Sequence, residues 1–241
     1  GQQYSNLSLG GLLGGPVKLE ESFYNFSYQL GRRSNELRTL LNMDPRGLQT
    51  SGIAADSVER LRAILGGLRV PTATAAIPSE RLADNGLVLG TLDFAPVSST
   101  SGTAISLAYS GSWGKQSPVA SALTSEFPAH SGERTNWSGF VSARHSTYFG
   151  FGILSETQLS TSQSHNWGSP YLALTNGSVL VNSSFADGTN GVKVVSFGGN
   201  PSMDANSRNG SFAASNLMSW FSENNKHRIK LSSELRRDEY T

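Results

Sequence analysis

The side chains able to do chemistry are few, and their spacing does not favour it. Four histidines (His130, His145, His165 and His227) lack the spacing of metal ligands. Adjacent carboxylates occur at Glu20-Glu21 and Asp238-Glu239. Neighbours on a strand point to opposite faces, so neither pair makes an acid–base dyad unaided. There is no cysteine, which excludes a disulfide frame, a CxxC redox pair, thiolate zinc and iron–sulfur clusters. The sequence holds no GxSxG elbow, no GxxxxGK[ST] loop and no HExxH, and Gly150-Phe151-Gly152 lacks the third glycine of a dinucleotide fingerprint. The expectation is a non-enzyme with no catalytic residue, no cofactor and no bound metal. What remains is aromatic. Trp137, Trp167 and Tyr171 fall at strand ends or in loops. They are the candidate contacts for a ligand or partner, or else an interfacial girdle or loop packing.

The elements that would position these aromatics are strands. Only 15% of the 241 residues are charged and 26 are glycine, a mix that suits strands, turns and long loops better than a helical bundle. The 37% hydrophobic content is still enough to bury a surface. Net charge is +1, and the one basic cluster, Lys226, His227, Arg228 and Lys230, is followed by Glu234. That is a solvated strand face rather than a nucleic-acid stripe. No apolar run approaches the ~20 residues of a membrane helix. The start, Gly1-Gln2-Gln3-Tyr4, has no initiating Met and no signal pattern, which reads as a processed, trimmed or partial chain. Asn-X-Ser patterns at Asn6, Asn25, Asn136, Asn176, Asn182 and Asn209 read as Asn- and Ser-rich loops.

Residues 1–21, rich in Gly and Leu, read as an irregular lead-in before one antiparallel β domain over 22–241. The clearest two-residue rhythm runs from Ala104 to Trp113. Ile105, Leu107, Tyr109, Gly111 and Trp113 alternate with Ala104, Ser106, Ala108, Ser110 and Ser112, as on a lipid-facing barrel strand. It returns after Arg228, where Ile229, Leu231, Ser233 and Leu235 oppose Lys230, Ser232, Glu234 and Arg236. Further strands are expected over Ser22 to Leu30, Leu87 to Phe94, Trp137 to Tyr148, Ile153 to Ser164 and Ser211 to Phe221. Phe149-Gly150-Phe151-Gly152 makes a tight turn. A helical insertion spans about 34–82, with a short helix over Asn35 to Asn42 stopped by Asp44-Pro45. A stronger helix starts at Asp56 or Ser57, with Val58, Leu61, Ile64 and Leu65 on one side and Gly66-Gly67 at its end. A long loop of about 165–210 carries a small hairpin around Asp187-Gly188. The fold class expected is all-β: an antiparallel up-and-down sheet or partial barrel of about seven long strands, joined alternately by long and short connections.

Gly14-Gly15-Pro16-Val17-Lys18, followed by Phe23-Tyr24-Asn25-Phe26-Ser27-Tyr28, resembles the plug-to-barrel junction of TonB-dependent outer-membrane receptors. The type is that with an N-terminal carboxypeptidase-regulatory-like domain. Ser57 to Leu61 with Leu65 to Pro71 is similar to the helical first outer loop of such receptors, Asn85 to Phe94 to their second strand, and Trp220 to Lys230 to a strand–turn–strand unit. The order of the segments carries the resemblance. No plug and no TonB box are present, and the family's barrel of about 22 strands is far larger than this chain.

The resemblance implies a fragment of a nutrient-transporter barrel in the bacterial outer membrane, not competent for transport alone. Its partners would be the rest of the barrel and outer-membrane lipid. The alternative is a receptor-derived structural subunit, periplasmic and membrane-extrinsic, that scaffolds a larger membrane-protein complex and binds other protein chains through sheet edges and loops. No nucleic-acid partner is expected.

Overall fold

The computed structural model describes residues 4–75, 77–97, 99–120, 122–223 and 226–241. Strand accounts for 64% of the chain and helix for 9%, so the all-β expectation holds. Eight long strands form one antiparallel meander: β1 (Tyr4–Lys18), β2 (Ser22–Glu36), β4 (Glu80–Phe94), β5 (Ala104–Ser117), β7 (Gly132–Gly150), β8 (Ile153–Pro170), β11 (Asn206–Phe221) and β12 (Arg228–Tyr240). Four shorter strands lie in the connections: β3 (Arg38–Thr39), β6 (Ala122–Leu123), β9 (Asn176–Ser184) and β10 (Asn190–Gly198). So do helices α1 (Pro45–Thr50) and α2 (Ala55–Gly67) and a 3-10 turn at Pro128–His130. β1 and β12 are the open edges of the meander.

The expected irregular lead-in is instead strand β1, paired with β2 from Tyr4↔Asn35 to Pro16↔Phe23. Its glycines make room for the aromatic side chains of β2, since a Cβ on Gly11 would lie 2.9 Å from the Tyr28 ring. Pro16 is tolerated because β1 is an edge strand and the register slips between Pro16 and Lys18. Gly14-Gly15-Pro16 therefore sits within a strand, and the Phe23 strand is the second of the sheet.

Short connections, 19–21, 95–103, 151–152 and 222–227, lie at one end of the sheet. At the narrowest, Phe151 (φ 49°) takes a left-handed conformation between Gly150 and Gly152. Long connections, 37–79, 118–131 and 171–205, lie at the other end and pack together. β3 and β6 pair in parallel, Phe127 N–H donates to Ser196 O at 3.0 Å, and Ala54 N–H donates to Ser183 Oγ at 2.9 Å. Their apolar side chains form one core of Leu40, Leu48, Ile53, Val58, Leu61, Leu65, Phe127 and Val195. We call this unit the cap.

Within the cap, Pro45 opens helix α1 rather than stopping a helix before it. Its missing N–H suits the first helical position, and the Asp44 carboxylate accepts from Gly47 N–H at 2.7 Å. Residues 35–42 are not helical. β2 runs on to Glu36, and the Asn42 side chain closes the turn beyond, accepting from Thr39 N–H and donating to Leu37 O, both at 2.7 Å. Helix α2 buries Val58, Leu61 and Leu65 as expected, but Ile64 faces out and is 60% exposed. Its N-cap residue is Ala54, with no side-chain cap. Asp56 sits in the first turn, where its charge favours the helix dipole. The expected hairpin is present as β9 and β10, and β8 and β11 reach further into the long loop than expected.

Candidate functional surface

Directly opposed residues on neighbouring strands share a face, so the pairing assigns every side chain of the sheet. One face collects Leu7, Leu9 and Leu13 of β1, Tyr24, Phe26, Tyr28 and Leu30 of β2, and Val88, Leu92 and Phe94 of β4. It continues through Ile105, Leu107, Tyr109 and Trp113 of β5, Trp137 and Val141 of β7, and Leu159 and Trp167 of β8. Phe212, Met218 and Trp220 of β11 and Ile229, Leu231 and Leu235 of β12 complete it. All four tryptophans of the chain stand on this face. The other face is richer in small and polar side chains, Ser110, Ser112, Ser138, Ser160, Ser162, Ser164 and Ser211, with ion pairs Arg144–Glu156 and Arg236–Asp238, but Leu12, Phe23, Leu87, Leu89 and Phe140 also stand on it.

Near the cap, the apolar face ends in an aromatic collar. Trp113 stands directly opposite Trp137, and Trp137 opposite His165. The His165 and Trp167 rings lie 4.6 Å apart, and His165 Nε2 is 2.6 Å from Asn206 Oδ1. One step beyond the collar the same face turns charged. Arg32 holds Asp84 with both arms at 2.7 and 2.8 Å, and Lys115 meets Glu133 at 2.8 Å.

The apolar stretch drifts from strand to strand. On β1 it spans Leu7 to Leu13, and on β12 Ile229 to Leu235. The hydrogen-bonded row through Leu9, Leu30, Trp113, Trp137 and His165 arrives at Arg208 on β11, already beyond the apolar residues of that strand. The drift is about one residue per strand toward the short turns. With a rise of ~3.3 Å per residue and strands ~4.8 Å apart, the strands lean roughly 35–40° from the normal to that apolar band.

One row interrupts the face: His145, Thr157, Asn216 and Ser233. Within it, Asn216 donates to Ser155 and Thr157 hydroxyls at 2.9 Å each.

The structure brings Trp137 and Trp167 together on the apolar face and sets Tyr171 apart. Tyr171 is held at the base of the cap, its hydroxyl 3.0 Å from Ser117 Oγ and its N–H donating to Ser131 O at 3.0 Å. Burial pushes its hydroxyl above the usual tyrosine range. His145 and His165 lie on strand surfaces and His227 in a turn, whereas His130 is buried in the cap with Nδ1 3.3 Å from Gly198 O. Among the described residues no group of three or more His, Asp or Glu could hold a metal ion, and no helix is long and apolar enough to cross a membrane. Composition gave no sign of the charged row, which pairing across four strands assembles; Trp113 was visible only as the end of the β5 rhythm. No protein-family model, curated protein or solved structure matches the chain.

Proposed function

We propose that the chain is a section of wall from a TonB-dependent nutrient-transporter barrel in the bacterial outer membrane. The apolar face would meet acyl chains, the Ser-rich face would line the interior, and the cap would stand outside the bilayer. The section is not competent for transport alone, because a barrel must close to satisfy its edges in lipid. One observation carries this reading: every tryptophan and most of the large apolar side chains of the sheet share one face, bounded by an aromatic collar and then charge. A soluble sheet would cover such a face, and among the described residues nothing packs over this one. The lean of the strands is that of membrane barrels, and the alternation of short turns with long connections fits the same reading.

The test is fluorescence of the natural protein in vesicles, read as the difference made by Trp113→Phe, Trp137→Phe, Trp167→Phe and Trp220→Phe. Phospholipids brominated on the acyl chain should quench all four more than aqueous iodide does. Quenching by iodide alone would defeat the reading.

The second reading is a receptor-derived extrinsic scaffold. The polar row of His145, Thr157, Asn216 and Ser233 favours it, since a partner's polar groups could meet that row where acyl chains could not. The two open edges could then pair with strands of other chains.

A further inference from the structure

We draw no further inference here: the strongest candidate, the exposed apolar patch of Leu180, Val192 and Val194 on the side of the β9–β10 hairpin turned away from the cap core, carries nothing, because nothing in the structure shows what covers it.

Discussion

The cap and the sheet use apolar residues in opposite ways. In the cap, Leu65, Leu123, Phe127 and Val195 are each at most 1% exposed. In the eight-stranded sheet, Leu107, Val141, Leu159 and Phe212 are between 38 and 51% exposed. Every fully buried hydrophobic side chain among the described residues lies outside the sheet strands, in the long connections or in β10. The cap is therefore held together by its own core. The sheet is held by backbone pairing and by cross-strand contacts on its surface, and its large side chains stay exposed. Burial alone, read without regard to place, would have put the heart of the molecule in its loops.

The largest effect that would sharpen this contrast is expected in the cap. Phe127→Ala should cost about 3–5 kcal/mol of cap stability. Hydrogen exchange should speed up in residues 37–70 and 176–198 while the sheet amides keep their protection. Equal loss of protection across the sheet would show the two regions to be one cooperative unit. Next comes the medium of the sheet. Leu107→Arg should make the vesicle-bound state about 2–4 kcal/mol less favourable, as for a basic residue at the midplane of a barrel wall. Ser138→Lys, on the Ser-rich face, should change it little. Chemical denaturation in vesicles reads both, and equal penalties would erase the distinction between the faces.

A smaller effect concerns what replaces a core within the sheet. A Cβ on Gly90 would collide with the Tyr109 ring, whereas one on Gly210 meets nothing within 4 Å. Gly90→Ala should cost about 1–3 kcal/mol through displacement of the aromatic ring. Gly210→Ala on the same face should cost at most a few tenths. Comparable denaturation midpoints for the two would deny these ring-over-glycine contacts any part in stability.

The smallest effect is the response of the cap to pH. Burial holds the Glu126 carboxyl above its ordinary value of 4.5, and the neighbouring His130, with Nε2 3.7 Å from Glu126 Oε2, offsets this only in part. The folded cap then binds the Glu126 proton more tightly than the unfolded chain does. This contribution to stability is complete below the unfolded value and is lost as pH rises through the raised folded value. Urea midpoints should fall across that window, and Glu126→Gln should flatten the slope.

Much of the sheet was legible because its cause is local. The alternation from Ala104 to Trp113 and from Ile229 to Leu235 needs only a strand with two unlike sides. β1 was not legible, because its glycines look like loop residues until the Tyr28 and Asn25 side chains are laid over them. Pro45 is ambiguous for a related reason: proline excludes the helix behind it but suits the helix ahead, and only the Asp44 cap decides between them. Of the cap core, the helical stripe of Val58, Leu61 and Leu65 was legible, but not what it packs against. Leu48 and Leu65 come from one connection and Phe127 and Val195 from two others, and nothing in their local spacing says that the three connections meet. Of the aromatic candidates, Trp137 and Trp167 share a face because β7 and β8 are paired. Tyr171 lies one residue beyond β8, where the alternation no longer governs direction.

The sheet has an even number of strands. Tyr4 lies opposite Asn35, and Tyr240 opposite Asn209, both at the end where the long connections gather. A fluorescent tag attached beyond either residue would thus emerge at the same end of the sheet as helices α1 and α2, within reach of the same quencher held by the cap. A label at the narrow bend around Phe151 would sit at the opposite end.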